Sequence, residues 1–141
     1  MNSKNTLETL ENVRESISVN LSEGVKNRRS DFRTFTLCSS GNTPAGRTVV
    51  LRGYNMQEGI ITFHSNYHAE KIDDLKINPN VCCVFYSKEK KIQIRCFGHA
   101  QINYGNTRTS HAWKNMSDMS KECYFQTPYP GTRIDKYNNF R

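Results

Sequence analysis

Residues 32–65 read FRTFTLCSSGNTPAGRTVVLRGYNMQEGIITFHS. Runs rich in Phe, Thr, Val and Ile alternate here with two Gly-bearing turns, at residues 41–46 and 55–59. The runs are predicted as strands at residues 32–40, 48–52 and 60–65. Strands joined by short turns of this kind predict antiparallel hairpins, so the fold begins with a meander of three strands.

Further elements lie on both sides of this meander. Apolar residues spaced by three or four predict an amphipathic helix from Thr6 to Lys26, formed by Leu7, Leu10, Val13, Ile17, Leu21 and Val25. The other predicted elements are a short helix at residues 69–77 and strands at residues 81–86 and 92–104, with a bend at Gly98. Five strands with flanking helices predict a mainly β protein, folded as a small antiparallel barrel.

A chain of 141 residues predicts one domain, residues 1–141. Its predicted parts are an N-terminal helix at residues 1–27, a barrel core at 32–104, a helical and loop segment at 105–131 and a tail at 132–141. The first residues contain no apolar signal core, and no apolar run approaches the roughly 20 residues of a membrane span. We therefore expect a cytosolic protein that does not enter the membrane.

The five cysteines are odd in number and form no Cys-x-x-Cys motif. This pattern favours reduced, mostly buried thiols over a disulfide framework. Cys82 and Cys83 are neighbours on a predicted strand, so their side chains point to opposite faces.

The formal net charge of +7 is compatible with a polyanionic partner. A basic five-stranded barrel could bind single-stranded nucleic acid, with Tyr and Phe side chains as stacking platforms. The basic residues are spread along the chain, however, so charge alone does not identify the ligand.

Several polar side chains are candidates for binding an anionic ligand. Arg47 follows a turn and its planar guanidinium suits a phosphate, although an ordinary surface arginine is the alternative. Ser65 and Lys71 flank a helix start, which also suits a phosphate, or else form a helix cap with a solvated lysine. Gln93 could bind the edge of a heterocycle or simply face solvent. His64 and His68 lie on either side of a strand end, so no metal site is expected.

These features occur in the order and spacing of a known family. The matching segments are Phe35-Thr36-Leu37, the turn at 41–46, Arg47 to Gly53, Ile61 to Asn66, Lys71, Asn78-Pro79 and Ile92 to Arg95 with Gly98. Residues 32–131 resemble the FMN-binding core of the pyridoxamine 5'-phosphate oxidase family. Trp113 to Asp118 and Pro128 to Gly131 resemble its oxidase-related branch rather than the true biosynthetic enzyme.

The resemblance implies an antiparallel FMN-binding split β-barrel, with FMN in a groove between the two subunits of a homodimer. The implied cofactor-binding residues are Arg47, Val50, Leu51, Arg52, His64, Ser65, Lys71 and Gln93. Arg47 and Lys71 would bind the FMN phosphate, and the backbone through Val50 and Leu51 would lie along the ring. Gln93 would approach the ring from the second subunit.

The family often has Arg-Lys where this chain has Glu70-Lys71, so we expect weak phosphate affinity. True oxidases carry a further C-terminal segment that this sequence does not show, so pyridoxamine phosphate is not the expected substrate. The sequence thus predicts an FMN-binding protein, with oxidoreductase activity on an unknown substrate as one expectation. A non-catalytic flavin or haem barrel is the alternative, and the nucleic-acid barrel leaves the motif order unexplained.

Overall fold

Helices and strands follow one another closely in residues 4–103, the part of the chain that this computed structural model describes. Their bounds are α1 Lys4–Lys26, β1 Thr34–Ser40, β2 Pro44–Val50, β3 Gly53–Asn55, β4 Ile60–Thr62, α2 Glu70–Ile77, β5 Asn80–Ser87 and β6 Ile92–His99. The predicted helix from Thr6 to Lys26 is confirmed as α1. The segments predicted at residues 105–131 and 132–141 lie outside the described residues, and the single domain over 1–141 stays a prediction.

The strands form two sheets. Four strands lie in the order β2-β1-β5-β6, and β3 pairs with β4 in a separate two-stranded sheet. The β3–β4 pair is antiparallel, with Gly53 opposite Thr62 and Asn55 opposite Ile60. Only residues 41–43 link β1 to β2 and only residues 88–91 link β5 to β6, and links this short join antiparallel neighbours.

Several predicted boundaries are wrong. The turn predicted at residues 41–46 is confined to 41–43, because β2 already begins at Pro44. Proline is tolerated as the first residue of a strand, where its missing N–H does not remove a hydrogen bond between strands. The strand predicted at 60–65 ends at Thr62, and the strand predicted to reach 104 ends at His99, directly after Gly98.

A sixth strand, β3, was not predicted within the described residues. It spans only Gly53–Asn55, which is too short to give a period-two pattern.

The described residues divide into two compact units. The first contains residues 4–38, 46–64 and 81–98, and the second contains residues 39–45, 65–80 and 99–103. The core of the first unit is formed by Leu21, Phe32, Phe35, Leu37, Val49, Leu51, Cys83, Phe85 and Ile94. Within it, the rings of Phe35 and Phe85 stack with centroids 4.7 Å apart.

The C-terminal end of α1 is fixed against the start of β1. A Cβ atom on Gly24 would lie 2.4 Å from the carbonyl oxygen of Phe32, so only glycine allows this approach. Arg33 Nη1 donates to the carbonyl oxygen of Val25 at 2.6 Å. This bond satisfies a carbonyl of the last helical turn and places a cation at the negative end of the helix dipole.

In the second unit, Ile72 and Leu75 of α2 are buried. Asp74 of the same helix accepts hydrogen bonds from Ser39 Oγ at 3.4 Å through its carboxylate and from the N–H of Asn78 at 2.9 Å through its backbone carbonyl. The β1–β2 turn and α2 are thereby held together.

Candidate functional site

Arg47 is anchored in the four-stranded sheet. It alternates with exposed neighbours on β2, lies on the same side as buried Val49, and is itself half-buried. Its Nη1 donates to the backbone carbonyl of Leu37 on the adjacent strand, at 3.1 Å. One end of the guanidinium is therefore fixed by the protein, which reduces the entropy lost when the group binds a ligand.

The backbone changes partner directly after β2. The N–H of Leu51, a fully buried residue, donates to the carbonyl of Arg33 at 2.7 Å. The N–H of the next residue, Arg52, donates to the carbonyl of Thr62 at 2.8 Å. The segment through Val50 and Leu51 is thus held on both sides, and its backbone position is well defined.

Arg52 and His64 contribute two buried nitrogens that lack a hydrogen-bond partner. Arg52 Nε and His64 Nδ1 are the buried side-chain polar atoms left unsatisfied within residues 9–103, whose side chains the structure describes. A buried donor without a partner costs about 1–3 kcal/mol, so two such atoms at neighbouring side chains indicate a place for a bound group.

The electrostatics of this region favour an anionic or electron-rich ligand. Burial lowers the pKa of His64 below its usual 6.5, and the positive charge of Arg52 lowers it further. The pKa of Arg33 is also lowered, first by burial and then by the charges of Arg52 and Arg28. His64 is therefore a neutral imidazole at neutral pH, beside arginines that repel one another.

Ser65 and Lys71 belong to the second unit, at the entry to α2. Ser65 Oγ donates to the carbonyl of Asn66 at 3.0 Å, and Asn66 Oδ1 accepts from the N–H of His68 at 2.9 Å. The N-cap residue is Ala69, which makes no side-chain capping bond. The first turn of α2, which contains half-buried Lys71, therefore presents backbone N–H groups that no N-cap side chain covers, a favourable place for an anion.

Gln93 is exposed on β6. This position is compatible with both predictions for the residue, binding the edge of a heterocycle and facing solvent. Arg95 and Phe97 follow it at spacings of two and therefore share its face. The side chain of Phe97 is 74% exposed, and that of Tyr86 on β5 is 57% exposed. Gln93 thus stands beside large apolar side chains that the described residues leave uncovered.

The structure places the predicted site residues in two groups. Six lie in the first unit: Arg47, Val50, Leu51, Arg52, His64 and Gln93. Ser65 and Lys71 lie in the second unit. Arg33 was not predicted as a site residue. Its side chain binds the end of α1 and lies in the field of Arg52, and the alternating pattern of β1 indicates neither of these contacts.

Comparison with known proteins connects these features to a family. The model of the family described as "Pyridoxamine 5'-phosphate oxidase, FMN-binding domain" matches residues 11–104. A pyridoxine/pyridoxamine 5'-phosphate oxidase of Leptospira interrogans is 33% identical over 108 residues, which cover 75% of this chain and 44% of the relative. That of Flavobacterium johnsoniae is 40% identical over 91 residues, covering 64% of this chain and 36% of the relative. The chain thus spans less than half the length of these relatives.

A solved structure has the same fold. It is a pyridoxamine 5'-phosphate oxidase-related, FMN-binding protein from Nostoc punctiforme, with a TM-score of 0.67 and 22% identity, and the match covers 87% of this chain and 67% of that one. The fold is therefore the mainly antiparallel split barrel with flanking helices, and the predicted fold class is confirmed. The chain belongs to the pyridoxamine 5'-phosphate oxidase family and contains its FMN-binding domain.

FMN is accordingly the cofactor of this domain, and the residues present suit it. Within the first unit, Arg47 carries a positive charge, and Arg52 Nε and His64 Nδ1 are buried polar atoms without a protein partner. A flavin ring carries carbonyl oxygens and ring nitrogens that would satisfy such atoms. No helix in residues 4–103 is long and apolar enough to cross a membrane.

Proposed function

We propose that the protein is a homodimeric, FMN-dependent oxidoreductase that acts on a small molecule. The observation that carries the proposal is the pair of unsatisfied buried nitrogens, Arg52 Nε and His64 Nδ1. Arg52 follows the end of β2, and His64 follows the β3–β4 hairpin. Both segments resemble the parts of the family that line the flavin. A bound ring that accepts from Arg52 and pairs with His64 would satisfy both atoms at once.

The proposal assigns the FMN phosphate to Arg47 and Lys71, with Ser65 as a further hydroxyl ligand. Arg47 supports this role because Leu37 already orients one end of its guanidinium. Lys71 supports it because it lies in a first helical turn without a side-chain cap, where the helix dipole also favours an anion. Exposed Glu70 in the same turn opposes the phosphate and lowers the affinity.

The proposal assigns the ring to the segment from Val50 to Arg52 and to His64. The fixed backbone through Val50 and Leu51 provides a wall along the ring, and buried Leu51 keeps that wall in place. The chemistry that bound FMN would supply is hydride transfer from a substrate and electron transfer to an acceptor. Arg52 holds a positive charge beside the ring, and His64 contributes a neutral imidazole.

A second copy of the chain completes the proposed site through Gln93. Exposed Phe97 and Tyr86 support this assignment, because large apolar side chains on an open sheet face are typical of subunit contacts. We also propose a cytosolic location, which the free thiols among the described cysteines support.

Mixed dimers test the arrangement of the site. Arg47→Ala and Gln93→Ala homodimers should each bind FMN more weakly than wild type. If Gln93 acts on the flavin held by the other subunit, random mixing of the two variants restores wild-type affinity at about a quarter of all sites. Failure of the mixture to recover any high-affinity sites, with exchange of subunits verified, contradicts a shared site.

Turnover is tested separately on the FMN-loaded protein. Under anaerobic conditions it is mixed in turn with NADH, NADPH and pyridoxamine 5'-phosphate, and the visible absorbance of the flavin is followed. We expect one reductant to bleach the absorbance and air to restore it. A protein that holds FMN but is bleached by none of the three is a flavin-binding barrel rather than the proposed oxidoreductase.

A further inference from the structure

Arg33 joins three parts of the first unit through its backbone and its side chain. Its N–H donates to the carbonyl of Ser30 at 3.0 Å, and its own carbonyl accepts from the N–H of Leu51 at 2.7 Å. Its guanidinium Nη1 donates to the carbonyl of Val25 at 2.6 Å. One residue therefore connects the loop after α1, the segment after β2 and the end of α1.

The guanidinium of Arg33 supplies a donor where the helix has none. Gly24 and Val25 belong to the last turn of α1, and carbonyls of a last turn have no N–H partner within the helix. Arg33 Nη1 lies 2.6 Å from the carbonyl oxygen of Val25 and 3.4 Å from that of Gly24. The same positive charge interacts favourably with the negative end of the helix dipole.

The residues before Arg33 leave its backbone little freedom. Phe32 is buried, and its N–H donates to Ser30 Oγ at 3.1 Å. The carbonyl of Phe32 packs so closely on Gly24 that a Cβ at that glycine would overlap it. The carbonyl of Arg33, which is next along the chain, therefore has a fixed position from which it accepts the N–H of Leu51.

The segment assigned to the flavin ring depends on this bond. Strand β2 ends at Val50, so the two following residues lie beyond its ladder of hydrogen bonds. The N–H of Leu51 donates to Arg33, and the N–H of Arg52 donates to the carbonyl of Thr62 at 2.8 Å. A displacement of Arg33 would move Leu51 and, with it, the adjoining Arg52.

The bonds to the helix end also hold Arg33 against electrostatic repulsion. Burial lowers the pKa of Arg33, and the charges of Arg52 and Arg28 lower it further. The Arg33 side chain therefore lies within the field of two like charges. Its bonds to α1 keep the guanidinium on the helix side in spite of that repulsion.

We propose that Arg33 is a positioning residue that couples the end of α1 to the flavin-lining segment at Leu51 and Arg52. The proposal rests on the function proposed above, which assigns that segment to the ring. Arg33 acts on the ring through these two residues and does not contact it. Because coupling between two sites is reciprocal, binding of the ring also orders the helix end.

The first measurement needs no flavin. Hydrogen–deuterium exchange of the full chain is followed by mass spectrometry in peptides that cover residues 20–33 and 48–55. Arg33→Met removes the charge and the donor, whereas Arg33→Lys keeps a cation that can donate to one carbonyl. We expect exchange about 10-fold faster in both peptides of Arg33→Met and near-wild-type exchange in Arg33→Lys, with exposed Arg29→Met as the unchanged control.

A buried thiol measures opening of the whole core in the same samples. The described cysteines are free thiols, and among them only Cys83 is buried, so the prediction of mostly buried cysteines is wrong for this part of the chain. Burial raises the pKa of Cys83 to about 12, so its alkylation requires opening of the core. If alkylation of Cys83 and exchange in both peptides accelerate by the same factor, Arg33 stabilises the fold as a whole and the proposal is overturned.

The second measurement tests the coupling to the ring. Saturation with FMN should slow exchange at residues 20–33 in the wild type and in Arg33→Lys, but not in Arg33→Met. A purely structural role for Arg33 would leave this protection in place. Protection of residues 20–33 that is equal in wild type and Arg33→Met, or absent from the wild type with FMN bound, overturns the proposal.

Affinities for FMN and riboflavin separate the ring from the phosphate. Riboflavin has the same ring without the phosphate, so Arg33→Met should raise both Kd values by a similar factor of about 5 or more, whereas Arg47→Ala should raise chiefly that for FMN. Unchanged Kd values in Arg33→Met overturn the role of Arg33 and leave the proposed function standing. A wild type that binds neither flavin refutes the proposed function and, with it, any role of Arg33 towards the ring.

Discussion

Replacing Arg52 by methionine should stabilise the flavin-free protein and weaken FMN binding at the same time. Methionine keeps the length of the side chain but removes a buried Nε–H that has no acceptor. It also removes the positive charge that lowers the pKa values of His64 and Arg33. Both features destabilise the flavin-free protein, and we attribute them to a site that is arranged to bind the flavin ring.

The two effects have different sizes. A buried unsatisfied donor costs about 1–3 kcal/mol, and Arg52 is half-buried as a whole, so we expect a gain of about 1 kcal/mol in the unfolding free energy without FMN. For a domain of this size that gain raises Tm by about 4 °C. Loss of one charge-assisted hydrogen bond should cost about 1.5–3 kcal/mol of binding, which is about a 10- to 100-fold rise in Kd.

Thermal melts with and without FMN, together with a titration that follows flavin fluorescence, measure both effects. Arg29→Met is the matched control, because Arg29 is exposed in the loop before β1, and it should change neither quantity. A variant that melts lower than wild type without FMN and binds FMN with unchanged affinity would refute the assignment of Arg52.

Three further outcomes are expected. Gly24→Ala should lower the free energy of unfolding, measured by urea denaturation, by about 1–3 kcal/mol because its Cβ meets the Phe32 carbonyl, whereas Gly98→Ala, with nothing within 4 Å, should have little effect. The lowered pKa of His64 means that the unfolded chain binds its proton more readily, so stability present above about pH 6.5 should fall as the pH drops towards the folded pKa; His64→Gln should flatten this dependence in denaturation curves. Glu70→Gln should lower the Kd for FMN about 2- to 5-fold at low salt and less at high salt, measured by titration; an unchanged Kd would show that Glu70 does not oppose the phosphate.

Local patterns predicted much of the fold. The apolar spacing from Leu10 to Val25 predicts α1, although Leu10 is exposed and only the later residues of the stripe pack on the core. Alternation predicts β1, where Phe35 and Leu37 are buried. The short strand β3 was missed because three residues cannot show a period, and its pairing with β4 depends on Gly53, where a Cβ would crowd Thr62.

The candidate site was only partly predictable. The string from Arg47 to Arg52 predicted a flavin site only through its resemblance to a family. Taken alone, neither arginine can be distinguished from an ordinary surface arginine. The unsatisfied atoms of Arg52 and His64 arise from tertiary burial, which the spacing of residues does not report. The same holds for Arg33, whose side chain binds a helix end formed eight residues earlier, at Val25.

The most direct test of the account is an FMN titration of the wild-type protein and of Arg47→Ala and Lys71→Ala, with Arg29→Ala and Lys88→Ala as exposed controls. We predict saturable binding of one FMN per chain, a loss of about 10-fold or more in each site variant, and wild-type affinity in both controls. Equal affinity in the wild type and both site variants, or no FMN binding by the wild type, would contradict the account.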